Sequence, residues 1–193
     1  MAIPPGFADP VLDSQRVFRT VLDVMAHPGR VATLSGLDPP APLGEAAAAV
    51  CLALLDFETP LWLDPSAATG DVVAWLRLHC GVPLVDDGAA ARFVLVADAG
   101  TMPPLEAFDA GSDERPDLSA TLVLQVGGLL GGTGPRLKGP GIDGESRLEV
   151  MGAPAGFWPA IGANGARFPR GIDVILCAGD RVAALPRTIR VEV

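Results

Sequence analysis

The chain predicts an α/β fold, a three-layer sandwich around a mixed β-sheet. Three observations carry this. Helical periodicity alternates with short apolar runs as far as residue 126. The run 92–97 (RFVLVA) is almost continuously apolar, as expected of a strand covered on both faces. The C-terminal part is strand-rich. A length of 193 residues suffices for one domain with a sizeable core, and residues 1–193 are taken as a single domain.

The elements follow in order. Asp9-Pro10 supplies an N-cap and a proline at the first helical position. Val11, Phe18, Val21, Leu22 and Met25 then recur at helical spacing, predicting an amphipathic helix over 10–26 that His27-Pro28-Gly29 stops. Arg16 and Arg19 fall on its polar flank, and His27 reads as a structural or surface residue. A short strand is expected at 31–34, and Pro39, Pro40 and Pro42 make a stiff connector. Residues 44–56 predict a buried, alanine-rich helix and 59–63 a strand. Asp71 is the expected cap of a helix through Cys80, with His79 read as a core histidine. After the strand at 92–97 come a short helix over 103–110, an acidic surface loop and a strand at 120–126. Further strands are expected at 146–151, 172–178, 181–185 and 188–193, with a glycine-weakened helix over 154–166.

Between two of these strands lies 127–144, GGLLGGTGPRLKGPGIDG. It concentrates glycines where backbone must turn or approach something closely. It holds Arg136 and the chain's single lysine, Lys138, and two arginine-bearing turns follow, 168–173 (FPRGID) and 185–188 (LPRT). Composition therefore suggests an anion or phosphate site, against the competing reading of a hairpin between two strands. The charge distribution agrees with the first: residues 1–130 carry 6 basic and 17 acidic side chains, whereas residues 131–193 carry 8 basic and 6 acidic. Arginine grips phosphate or carboxylate through paired hydrogen bonds, although a compositional bias toward arginine over lysine would give the same count.

Other classes are disfavoured. A net charge of −9 argues against nucleic acid. The longest apolar run, residues 46–55, is too short to span a bilayer, and MAIPPGFADP lacks the basic and apolar regions of a signal peptide, so a cytoplasmic location is expected. Cys51, Cys80 and Cys177 form no metal or disulfide pattern and read as small core residues; no metal is expected. The apolar surplus, 49% hydrophobic with a mean hydropathy of +0.38, points to a subunit interface. No dinucleotide fingerprint, P-loop, nucleophile elbow or HExxH is present.

With these pieces placed, the chain resembles the PhnH family of the bacterial carbon–phosphorus lyase system. The resemblance is carried by Phe18-Arg19, Pro28-Gly29, 59–62 (TPLW), 76–79 (LRLH) and 116–126. It is densest at 136–142 (RLKGPGI), 168–173 and 185–188, and runs from about residue 9 to the C-terminus. It implies a fold like that of pyridoxal-phosphate transferases without the cofactor, a homodimer, and association with PhnG, PhnI and PhnJ. It further implies a part in joining methylphosphonate to the ribose of ATP, which displaces adenine and gives ribose 1-methylphosphonate 5-triphosphate. That chemistry is credited to PhnI, so an accessory role is implied here. No cofactor is expected: a pyridoxal enzyme needs a lysine nucleophile, and the one candidate is Lys138. No catalytic residue is assigned. The contact candidates, for a ligand or an interface, are Arg136, Lys138, Gly139, Gly141, Arg170, Asp173 and Arg187. Three roles remain open at this point: a subunit of a phosphonate-processing complex, with or without contact to nucleotide or phosphonate at a shared site; a stand-alone enzyme or binding protein for a small phosphorylated or phosphonate ligand; and a docking surface formed by the arginine turns themselves.

Overall fold

A computed structural model describes residues 3–192. Helix α1 (Pro10–Ala26) starts on Asp9, whose carboxylate accepts from the N–H groups of Val11 and Leu12 at 3.1 and 3.0 Å. Strand β1 (Ala32–Thr33) leads to α2 (Glu45–Leu54), where a run of alanines lets the helix lie close to the sheet. Strand β2 (Leu61–Leu63) is followed by α3 (Gly70–Cys80). The cap of α3 is Thr69, whose hydroxyl accepts from Val72 N–H; Asp71, the expected cap, lies two residues further on, in the first turn, and complements the helix dipole instead. Strands β3 (Phe93–Val96) and β4 (Thr121–Gln125) follow. The helix expected over 103–110 reduces to a single 3-10 turn, Leu105–Ala107, because prolines at 103 and 104 leave too little chain to nucleate an α-helix.

The C-terminal half contains β5 (Gly128–Lys138), β6 (Ser146–Met151), α4 (Phe157–Gly165), β7 (Asp173–Ala178), β8 (Arg181–Leu185) and β9 (Arg190–Glu192). Six strands form the main sheet in the order β1-β8-β7-β4-β3-β2, with β7, β4, β3 and β2 parallel, β8 antiparallel to β7, and β1 antiparallel to β8. Register sorts its side chains into two faces. The row Leu95–Val123–Ile175–Ala184 packs against α1, α2 and α3. The row Val94–Leu122–Val174–Leu185 packs under α4 and a second sheet, β6-β5-β9. The alternation of β-strand side chains thus divides one sheet between two cores, and three layers result.

Two expectations change. Most of the glycine segment is not loop but the long strand β5, paired along β6. The register shifts between Gly131 and Arg136, and Gly132 and Gly134 at φ +82° absorb the irregularity. The competing hairpin reading is the one that holds. In α1, Val17, Val21 and Val24 face the core, while Val11, Phe18 and Leu22 face outward.

Candidate functional site

The three densest motifs meet in space, and the meeting point is the segment after β8. The Arg187 backbone N–H donates to Asp173 Oδ1 at 2.8 Å, and its guanidinium grips the same carboxylate through Nε and a terminal nitrogen. A further guanidinium N–H donates to the Pro116 carbonyl at 2.7 Å. One arginine therefore ties the start of β7, the exit of β8 and the turn before β4 together. Neighbouring backbone is packed with little clearance. A Cβ on Gly139 would lie 3.1 Å from the Thr188 carbonyl, and one on Gly141 would collide with the Ala26 carbonyl at a φ of +80°. Buried Asn164 clamps Ile172 from both sides, donating to its carbonyl and accepting from its N–H, each at 2.8 Å.

The cations of this region are paired. Arg136 meets Glu145 at 3.0 Å, Lys138 meets Glu192 at 2.8 Å and Arg170 meets Asp113 at 3.2 Å. The Lys138 ammonium holds the Glu192 carboxyl below its ordinary range, mainly through its hydrogen bond. Arg136 and Lys138 sit on β5, whereas Arg170, Asp173 and Arg187 gather at the edge where β7 begins. Arg136, Lys138, Arg170 and Arg187 are thus each offset by a carboxylate of the same chain, and these four cations do not converge on one open cradle.

A different concavity lies at the opposite edge. At the C-terminal ends of β3, β4 and β7, a crevice of about 360 Å³ faces the first turn of α2. In open α/β sheets this edge is where ligands bind. Gln125 shapes it: its side-chain oxygen accepts from Gly44 N–H at 2.6 Å and its amide donates to the Pro42 carbonyl at 3.0 Å. Asp64, fully buried, holds the adjoining wall by accepting from Ala67 and Ala97 N–H groups and from the Thr101 hydroxyl, at 3.0, 2.9 and 3.0 Å. Among the described residues, Asp98 places the only charged side chain on the lining. Sequence reasoning passed over these residues, although each is a polar residue closing an apolar run: Asp64 after LWL, Gln125 after TLVL and Asp98 after FVLVA. Lys138 lies at the far end of β5 from this crevice, about 30 Å along the strand by its rise per residue.

The remaining titratable candidates are structural. His27 is exposed, and its ring faces Asp23 at 3.1 Å. His79 is not a core residue: it is exposed, with its ring edge-on to Trp75 at a centroid separation of 5.1 Å and Nε2 3.0 Å from the Pro4 carbonyl. Cys51 and Cys177 are buried as expected, whereas Cys80 is only partly so. Burial pushes the Cys80 thiol up to about 12 and those of Cys51 and Cys177 up as well, so none is poised as a nucleophile. Among the described residues no group of three or more His, Cys, Asp or Glu side chains is placed to hold a metal, and no helix is long and apolar enough to cross a membrane.

Comparisons with a family model and with curated proteins give one family. The family model described as bacterial phosphonate metabolism protein (PhnH) matches residues 5–192. The chain is 41% identical over 188 residues to "Alpha-D-ribose 1-methylphosphonate 5-triphosphate synthase subunit PhnH" of Rhizobium meliloti (strain 1021), covering 97% of this chain and 94% of that one. It is 36% identical over 185 residues to "Putative C-P lyase subunit protein HtxG" of Stutzerimonas stutzeri, covering 92% of this chain and 85% of the relative. The motifs that converge on Arg187 lie within the matched region, and the chain belongs to the PhnH family of bacterial phosphonate metabolism proteins.

Proposed function

We propose that the chain is a subunit of a carbon–phosphorus lyase assembly in phosphonate catabolism, contributing structure and surface rather than reacting groups. The assembly would form ribose 1-methylphosphonate 5-triphosphate, the product in the name of the Rhizobium relative, from ATP and methylphosphonate. The observation that carries the accessory reading is the pairing of Arg136, Lys138, Arg170 and Arg187 with carboxylates of the same chain. Cations already bound to internal partners stabilise a scaffold; a phosphate clamp needs its donors free and convergent. The wider reading includes a homodimer, association with PhnG, PhnI and PhnJ, a fold akin to pyridoxal-phosphate transferases without the cofactor, and a cytoplasmic setting. Co-expression with the other lyase subunits tests it. A co-purifying complex is expected, in which Arg187→Ala lowers yield through folding rather than turnover per complex. A chain that stays alone under those conditions overturns the reading.

A second reading rests on the crevice. A small ligand seated at the C-terminal ends of β3, β4 and β7 would face Gln125, Asp98 and the start of α2. Calorimetry of the isolated chain with ATP and with methylphosphonate tests it, and heat of binding that Gln125→Ala abolishes is the expected result. No heat with either ligand removes this reading and leaves the first intact.

A further inference from the structure

A second concavity, of about 430 Å³, lies beside α1 and shares no lining residue with the crevice. Three stretches wall it. One is the segment ahead of α1, with Phe7 and Ala8. Another is the face of α1 on which Asp13, Arg16, Val17 and Thr20 fall at i, i+3, i+4 and i+7. The last is the turn over 33–37 after β1. Each wall is fixed by a residue outside the lining. His79 Nε2 lies 3.0 Å from the Pro4 carbonyl, Asp9 caps α1, and Glu45 accepts from the Gly36 and Leu37 N–H groups at 2.8 and 3.3 Å. The recess is therefore preformed, and its volume falls in the range of about 300–1,000 Å³ usual for small-ligand sites.

We propose that this recess takes an uncharged nucleoside, its base against Phe7 and Leu37 and its ribose hydroxyls donating to Asp13. The inference is independent of the subunit reading and of any ligand in the crevice. Phe7 and Leu37 bring partly buried apolar side chains from two different walls, and aromatic and apolar side chains hold bases by stacking. The Asp13 carboxylate, 16% exposed, accepts from Asp9 N–H at 3.1 Å through one oxygen and pairs with Arg16 at 3.0 Å through the other. An ionised carboxylate accepts about four hydrogen bonds, so two further donors can be served; a ribose hydroxyl donates to an acidic side chain in the same manner at dinucleotide sites. Charge selects against a phosphorylated ligand. Among the described residues Arg16 is the one cation on the lining, Asp13 offsets it, and the Glu45 carboxylate stands behind the 36–37 turn. A purely aliphatic ligand would cover Asp13 without supplying a donor. A nucleoside supplies an apolar face and hydroxyl donors with no net charge.

Amide-resolved NMR titration of the whole chain with adenosine and with uridine tests the proposal. A nucleoside should shift the amides of Ala8, Thr20 and residues 35–37, and leave in place those of residues 98–100 and 127, which line the crevice. Asp13→Asn should weaken this binding at least about tenfold, the worth of a hydrogen bond to a charged group. Ala8→Trp, which fills the recess from an exposed position on its rim, should abolish it. Phe57→Ala, exposed and outside the recess, should bind as wild type does. ATP should occupy the recess at least about tenfold more weakly than adenosine, because its triphosphate meets the carboxylates. If neither nucleoside shifts the recess amides at millimolar concentration, or if the shifts fall on the crevice amides instead, the proposal is overturned, and these wild-type spectra decide the location even where a variant misfolds. Nucleoside binding that survives both Asp13→Asn and Ala8→Trp also overturns it. Tighter binding of ATP than of adenosine at the recess amides refutes the uncharged ligand class.

Discussion

Arg187 and Asp173 form a half-buried pair in which one side chain closes three connections. Their side chains are 15% and 19% exposed, and the arginine also reaches the Pro116 carbonyl. Such a pair stabilises because its geometry is paired twice over, by guanidinium and by backbone N–H. Removing one partner leaves the other charge partly buried without compensation. Arg187→Ala should therefore destabilise the fold by about 2–4 kcal/mol, lowering the melting temperature by roughly 4–16 °C for a chain of this size. Asp173→Ala should cost a similar amount, and the double variant less than the sum of the two. Thermal denaturation of the four proteins checks this; a melting temperature unchanged in Arg187→Ala would mean that the arginine serves something other than the fold.

Read from sequence, the same arginine pointed to an anion. The structure pairs it with a carboxylate of its own chain, a contact that sequence does not display: sequence shows where cations concentrate but not which carboxylates fold back onto them. Asp173 lies in the same motif region as Arg170, yet it pairs with Arg187, while Arg170 pairs with Asp113, far earlier in the chain. Elements bounded by local signals were legible. The strands at 146–151 and 181–185 coincide with their predicted limits because turn residues bracket runs of strand pattern. β5 was not legible, because its strand character comes from pairing with β6 and β9 and not from its own glycine-rich composition. The crevice was invisible for a related reason: it exists only once strand order brings residues 42–44, 97–100, 125–127 and 177–179 to one edge.

Lys138 and Glu192 supply a pH-dependent contact between β5 and β9. The folded-state pKa of Glu192 lies below the ordinary carboxylate value of 4.5. A depressed pKa favours the folded state above the unfolded value, and that contribution is lost as pH falls through the folded value. Asp23 beside Arg30 and Asp117 beside Arg115 behave the same way below 3.8. Side-chain carboxyl titration by NMR should therefore show Glu192 titrating below 4.5 in the wild type and moving upward in Lys138→Met. A Glu192 that titrates identically in both would show that the pair does not persist in solution.

The thiols offer a direct check on the core. All three are disfavoured as thiolates by burial, with Cys80 raised to about 12. At pH 8 the native protein should react slowly or not at all with a disulfide reagent, whereas the denatured chain should titrate for all three cysteines. Among the three, Cys80 is the least buried and should react first when denaturant is raised. Rapid modification of native Cys51 or Cys177 would contradict the packing of α2 and β7 described above.

Asp64 should prove the most costly polar residue to remove near the crevice. It is fully buried at the end of β2, and its carboxylate serves donors from its own turn and from the exit of β3. Asp64→Ala would leave the Ala67 and Ala97 N–H groups without partners, while the Thr101 hydroxyl keeps the Asp98 carbonyl, and would open a small void beside Ala67. At about 1–3 kcal/mol for each unsatisfied buried group, a loss of about 3–5 kcal/mol is expected. Asp64→Asn keeps one acceptor oxygen and should lose less, since that oxygen can still serve part of the set. Urea denaturation measures both, and hydrogen exchange locates the effect: the amides of residues 97–101 should lose protection in Asp64→Ala before those of β7 do. Equal stability of the two variants would show that the carboxylate's contribution is packing and not its hydrogen bonds. Because the 97–101 turn forms one wall of the crevice, an Asp64→Ala protein that folds but no longer binds a crevice ligand would connect this buried acid to recognition through the wall it holds.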